Sequence, residues 1–212
     1  MSHRAVAIDG PAASGKSTVA KRLAASLGMV MVNSGAMYRA VTWQILQEGV
    51  DATDAAAVIA ALEKMEITCG VENSFSTIAI NGQELNEELR SELVNNTVSK
   101  VAAVPEVRER LVQLQRAYLE HSDVVMEGRD IGSVVFPDTP FKIYIDASEE
   151  VRRARRAADG EADAVAARDK EDSQRKTAPL KIADGATVID SSEMEIDQVV
   201  ARAKEVLAEL GW

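Results

Sequence analysis

Short apolar runs recur at residues 5–8, 29–32, 124–126, 141–145 and 187–189, most of them separated by segments whose apolar positions repeat with helical spacing. Runs that are apolar throughout suit strands covered on both faces, so the alternation predicts a parallel sheet wrapped by helices. The first helix is expected at Lys16–Leu27, with Val19, Leu23 and Leu27 on one face and Gly28 supplying the left-handed residue that ends it. The last is expected to open at Ser192-Glu193-Met194-Glu195, a capping-box spacing, and to carry Val199, Ala203, Val206 and Leu210 inward.

One stretch breaks this rhythm. Residues 67–71 and 76–80 read as strands, with Asn81-Gly82 as a two-residue hairpin turn, so an antiparallel insert is expected there. Helical segments follow near 87–94 and, with Pro105 at a helix start, through Tyr118. The Ala-rich, charged segment near 157–172 reads as a mobile helical lid or a solvated helix. There is no internal repeat and no low-complexity tract.

With 212 residues the chain can bury one full core and carry a small appended subdomain. No apolar run approaches the roughly 20 residues of a membrane helix, so a soluble protein with no membrane partner is expected. The segment Met1-Ser2-His3-Arg4 passes into the first apolar run without the pattern of a secretory signal, which predicts a cytoplasmic address. Cys69 stands alone, excluding an intrachain disulfide and a cysteine metal cluster, and reads as a small buried thiol. His3 and His121 lack a partner pattern for metal binding or base catalysis and read as structural.

A net charge of −10 argues against nucleic-acid polymers, whose nonspecific binding rests on basic side chains. The basic residues are unevenly spread, however: residues 152–181 hold nine of the 24 Lys and Arg against six acids. A local positive patch on an acidic protein suits a small polyanion such as a nucleotide.

The sharpest chemical signal is Gly10-Pro11-Ala12-Ala13-Ser14-Gly15-Lys16-Ser17, followed by Thr18, which fits G-x-x-x-x-G-K-S/T between a strand and a helix. Its glycines let successive N–H groups converge on phosphates at the positive end of the helix. Lys16 is placed to reach the β- and γ-phosphates, and Ser17 to offer its hydroxyl to Mg²⁺. ATP or GTP with Mg²⁺ is the expected ligand. Such a loop serves kinases, switch GTPases and motor ATPases alike. The absence of an N-K-x-D guanine-reading motif favours a small-molecule kinase.

Further along lie Asn33-Ser34-Gly35-Ala36-Met37-Tyr38-Arg39, read as a glycine turn opening a helix that ends near Gly49, and Glu127-Gly128-Arg129-Asp130-Ile131-Gly132, with Val134-Val135-Phe136-Pro137-Asp138 behind it. A third segment is Arg168-Asp169-Lys170-Glu171-Asp172-Ser173-Gln174-Arg175. With the phosphate loop and the insert after residue 65, these segments resemble the bacterial cytidylate kinases, nucleoside monophosphate kinases, over essentially the whole chain.

The resemblance implies a P-loop kinase fold in one unit, residues 1–212: a five-stranded parallel sheet flanked by helices, an acceptor-binding region at 34–104 with its insert at about 66–103, and a lid at about 152–181. It implies ATP as donor, Mg²⁺, and CMP or dCMP as acceptor, with UMP, AMP or shikimate as alternatives within the kinase class. It also implies that Ser34, Arg39, Arg129 and Arg175 grip the acceptor phosphate, that Asp172 binds the pentose hydroxyls, and that Ser99, Arg108 and Asp130 read the cytosine edge. Lys16, Arg129, Asp130 and Arg175 would carry the transfer, and Asp130 and Glu127 are candidates to organise water around Mg²⁺. One or two of Arg152, Arg153, Arg155 and Arg156 are expected to meet ATP and the others to face solvent. Members of the family commonly have aspartate where this chain has Asn33, which points to retained activity with an altered Mg²⁺ dependence. A complete site in one chain suggests a monomer.

Overall fold

The computed structural model describes residues 3–158, 171–173 and 178–212. They divide into two compact units, one formed by Met1–Val32 with Tyr118–Trp212 and the other by Asn33–Ala117.

The first unit is built on β1 (Ala5–Asp9), β2 (Val30–Asn33), β6 (Val124–Gly128), β7 (Lys142–Asp146) and β8 (Thr187–Asp190), laid side by side in the order β2-β6-β1-β7-β8. The pairs β1 with β6, β1 with β7 and β7 with β8 are parallel, in registers such as Asp9 opposite Gly128 and Asp146 opposite Asp190. Every residue of β1 and β6 is buried, as two covered faces require. Helices α1 (Lys16–Leu27), α6 (Glu149–Ala158) and α7 (Ile196–Glu209) belong to this unit. Val6, Ile8, Val19, Leu23, Ile143, Val199 and Val206 share its core, with Leu27 partly buried at the margin. Trp212 belongs to the same packing: its ring meets Phe141 edge-on at 4.7 Å, and the Arg4 guanidinium lies 3.9 Å from its centre.

Each strand expected in this unit exists, and each runs on past its last apolar residue into a polar or small one, since backbone pairing, not hydrophobicity, sets where a strand ends. Gly28 ends α1 in the left-handed conformation at φ 66, as expected. The start of α7 differs from expectation. Glu195, not Ser192, caps the helix in a reciprocal box with Gln198, while Ser192 bonds to Asp190. Val199, Ala203 and Val206 face inward as expected, joined by Leu207, whereas Leu210, at the end of the helix, is exposed.

The second unit contains α2 (Ser34–Gln47), α3 (Ala55–Leu62), β3 (Ile67–Glu72), β4 (Phe75–Ile80), β5 (Gln83–Glu84), α4 (Glu92–Val101) and α5 (Pro105–Ala117). The antiparallel insert holds two hairpins where one was expected. Asn73-Ser74, with φ 50 and 66, joins β3 to β4, and Asn81-Gly82, with φ 51 and 78, joins β4 to β5. Both turns have the paired positive φ values that match strand twist. The described total is eight strands: the five expected in the first unit, and three in the insert where two were expected.

The expected helix near 87–94 is a short 3-10 turn at Glu87–Arg90, after which Ser91 caps α4 by accepting from the Val94 amide. Helix α3, which the sequence pattern did not single out, starts where the Asp54 carboxylate accepts from the Ala56 and Ala57 amides. Gly35 lies within α2 and forms no turn; Asn33 caps that helix, its Oδ1 accepting from the Ala36 amide at 3.0 Å. Cys69 on β3 is half-buried, not the fully buried thiol expected. Met37, Val41, Ile45, Val58, Ile80, Val101 and Leu111 form the core of this unit.

Candidate active site

In the first unit the chain leaves β1 at Asp9 and coils from Gly10 into α1. A Cβ on Gly10 would lie 2.1 Å from the Ile145 carbonyl oxygen, so only glycine fits. Ala13 at φ 59 and Gly15 at φ 87 complete the coil, and no acid lies in the first turn of α1 to offset its positive end. Ala12 and Ser14 are buried, and Thr18 follows on the exposed side of the helix. The Lys16 side chain is buried and donates back to the Pro11 carbonyl at 3.0 Å, an ammonium folded against its own loop.

Glu127, at the end of β6, faces this loop. Its Oε1 accepts from the Ser17 hydroxyl at 2.9 Å, and its Oε2 lies 4.0 Å from Lys16 Nζ. Two hard oxygen donors thus stand side by side. Such a pair fits Mg²⁺, which takes one or two protein oxygens and fills its other positions from phosphate and water.

Beyond β6 the chain carries Arg129 and the buried Asp130, then a π-helical turn at Ile131–Val135. Asp9 holds the start of that turn, accepting from the Ile131 amide at 2.7 Å and the Gly132 amide at 2.8 Å. Burial pushes the Asp9 pKa from 3.8 up to about 6, and the Asp130 charge adds to the rise; the two amides and Lys16 act against it. Asp9 was not anticipated as a site residue. The available signal was a carboxylate closing an apolar strand directly before the phosphate loop. Arg129 Nε donates to Asp172 Oδ2 at 2.9 Å, bringing together the residues expected at the acceptor's phosphate and pentose.

Of the residues expected at the acceptor, Ser34, Arg39, Ser99 and Arg108 belong to the second unit. Ser34 is buried at the first position of α2. One turn later Arg39 donates to the Leu89 carbonyl at 3.1 Å and to Asn95 Oδ1 at 2.5 Å, while the Asn95 amide nitrogen donates to the Arg90 carbonyl. Asn95 is a second residue the sequence did not single out. Ser99 on α4 and Arg108 on α5 are both buried. Arg108 donates to the Ala102 carbonyl at 3.3 Å, and its guanidinium lies 5.4 Å from the centre of the Tyr38 ring.

Arg175 lies outside the described residues, as do 159–170 and 174–177 of the expected lid. His3 bonds to the Leu119 carbonyl. Among the described residues, no group of three or more His, Cys, Asp and Glu could hold a metal ion, and no helix is long and apolar enough to cross a membrane.

A family model for cytidylate kinase matches residues 6–209. A cytidylate kinase of Streptomyces avermitilis is 42% identical over 204 residues, spanning 92% of this chain and 88% of that one. One of Caldanaerobacter subterraneus is 40% identical over 213 residues, spanning 95% and 93%. One of Geobacillus kaustophilus is 42% identical over 215 residues, spanning 96% of each. Among solved structures, a gluconokinase from Sinorhizobium meliloti aligns with a TM-score of 0.52 at 13% identity, over 98% of this chain and 93% of that one. The protein TT1252 from Thermus thermophilus gives 0.50 at 20% identity over the full length of both. The likeness to the gluconokinase bears on the fold alone, and the sequence matches, of which the family model spans every motif described above, establish more: the chain belongs to the cytidylate kinase family.

Proposed function

We propose that this chain transfers the γ-phosphoryl of ATP to CMP or dCMP, giving ADP and CDP or dCDP. The observation that carries the reading is that one family match, over residues 6–209, contains both the phosphate loop and the Ser, Arg and Asp set of the acceptor site.

An oxygen of the acceptor's phosphate attacks the γ-phosphorus, the bond from that phosphorus to the β,γ-bridging oxygen breaks, and ADP leaves. The attacking oxygen carries no proton, so the protein's task is alignment and charge stabilisation. The loop amides and Lys16 hold the donor phosphates. Ser34, Arg39, Arg129 and Arg175 grip the acceptor phosphate, where guanidinium groups offer paired donors. Asp172 takes the pentose hydroxyls.

The cytosine edge presents an amino donor beside a ring nitrogen and a carbonyl that accept. Asp130 answers the donor, while Arg108 and Ser99 answer the acceptors. Ser17 and Glu127 would hold Mg²⁺, which spreads the charge of the phosphate oxygens when bound. The proposal extends to a monomer working in the cytoplasm, since every assigned residue belongs to one chain.

Release of ADP, measured with CMP, dCMP, UMP, AMP, shikimate and no acceptor, tests the reading. CMP and dCMP should give the highest kcat/KM; a preference for AMP or shikimate would overturn the cytosine assignment.

A further inference from the structure

In a trans peptide the C=O of one residue and the N–H of the next point in opposite directions. A loop that binds phosphate through its N–H groups must therefore send its carbonyls the other way, where they need donors of their own. The structure shows where those donors come from. Three successive loop carbonyls, of Ala12, Ala13 and Ser14, meet side chains from α6 and from the residue that follows β8. Arg152 Nη1 donates to Ala12 O at 3.2 Å, and its Nε to Ala147 O at 2.9 Å. Arg155 Nη1 lies 3.5 Å from Ala13 O. The Ser191 hydroxyl has Ser14 O at 3.0 Å and Asp146 O at 2.9 Å as acceptors.

The three side chains act together. Arg155 donates from Nη1 to Ser191 Oγ at 3.1 Å and from Nη2 to Ser191 O at 2.8 Å, while the Ser191 amide donates to Asp146 O at 2.8 Å. Ser191 is almost fully buried, so water cannot replace it. The planar fork of Arg155 matches this pair of acceptors as a flexible ammonium could not.

We propose that Ser191, Arg155 and Arg152 are positioning residues for the donor's phosphates, fixing the carbonyl side of the phosphate loop so that the N–H groups of Ala13, Ser14 and Gly15 converge before ATP arrives. The proposal deepens the kinase reading and rests on it for the identity of the donor. It also separates two of the α6 arginines from a direct grip on ATP: they work through the loop.

The test compares the wild-type chain with Ser191→Ala and Arg155→Lys, using calorimetric binding of ATP and of inorganic tripolyphosphate and steady-state kinetics with ATP and CMP. Tripolyphosphate has no nucleoside and reports on the cradle alone. Ser191→Ala should weaken ATP and tripolyphosphate in parallel, by about tenfold, the size of one lost buried hydrogen bond. It should raise the KM for ATP and leave the KM for CMP unchanged, whatever the lost buried hydrogen bonds cost in melting temperature. Arg155→Lys should do the same, and it carries the test if Ser191→Ala does not fold. Weakened ATP binding with normal tripolyphosphate binding would place these residues on the nucleoside and overturn the proposal. So would equal losses for ATP and CMP, the mark of general damage. The binding measurements need no acceptor, so a wild-type chain that binds both ligands but fails to phosphorylate CMP would count against the reaction assigned, with the parallel loss in Ser191→Ala still supporting the brace.

Discussion

The donor loop and the acceptor residues are made of opposite materials. In the first unit the groups meant for an anion are mostly peptide N–H groups, oriented by a coil and fastened from behind by Arg152, Arg155 and Ser191. In the second unit the groups proposed for the acceptor are side chains, Arg39 for its phosphate and Arg108 for its base, each steadied by a backbone carbonyl of its own unit, Leu89 O and Ala102 O. A backbone site cannot be erased by removing one side chain, but it can be lost through whatever bends the coil. A side-chain site fails residue by residue and keeps its fold. The comparison teaches where to expect losses of binding and where to expect losses of shape.

The largest effect should come from the side chain proposed to meet the donor's phosphates directly. Lys16→Met should lower kcat by about 10³-fold, the range for deleting a preorganised charge partner of the transition state, while circular dichroism stays native. Next, Arg108→Met should lower kcat/KM for CMP by about a hundredfold and leave the KM for ATP unchanged, as for loss of a charged hydrogen bond. Equal changes in both KM values would dissolve the contrast between the two sites.

Asp9 gives a pH test. Its carboxylate accepts from two amides; protonation turns one of its oxygens into a donor facing an N–H. Activity should fall as pH drops through about 6. A nucleotide phosphate also titrates near about 6, so the readout is the difference between wild type and Asp9→Asn. The variant should be about tenfold less active at neutral pH and lack the Asp9 share of the acid limb.

Stability runs the other way. The folded chain holds this proton more tightly than the unfolded one, so the penalty for the buried carboxylate is absent below 3.8 and complete above about 6. The Asp9 share of stability therefore falls as pH rises through that window, which denaturant midpoints of wild type and Asp9→Asn would measure.

The smallest effect concerns Asn33. Aspartate caps a helix as well as asparagine and its charge favours the N-terminus, so Asn33→Asp should raise stability by at most about 1 kcal/mol, whereas Asn33→Ala should cost about 1 kcal/mol in a thermal melt. Profiles of activity against Mg²⁺ for wild type and Asn33→Asp would show whether position 33 has a further role at the metal; identical profiles would confine it to capping.

The strands were legible because their apolar runs are local, and their ends were not. Asp9, Asn33, Gly128, Asp146 and Asp190 all belong to strands, yet an apolar reading stops short of each. Those terminal residues include Asp9, which holds the turn after β6, and they border Arg129 and Ser191. The phosphate loop was legible for the same reason as the strands, being eight consecutive residues with one purpose. Its fasteners were not: Arg152, Arg155 and Ser191 lie 140, 142 and 177 positions from the carbonyls they meet, and the cluster of arginines near 152–156 stood out as candidates for ATP, with nothing in it pointing to the loop's carbonyls. The start of α7 was misplaced because Ser192 and Glu195 satisfy the same spacing as Glu195 and Gln198, and only the bond from Ser192 to Asp190 decides between them.

The central claim is the transfer itself, and the direct measurement is to incubate the purified chain with radioactive γ-labelled ATP and CMP, then separate the nucleotides. The account predicts label in CDP, formed in proportion to CMP and lost in Lys16→Met. Label released as inorganic phosphate at the same rate with and without CMP, and none in CDP, would contradict it.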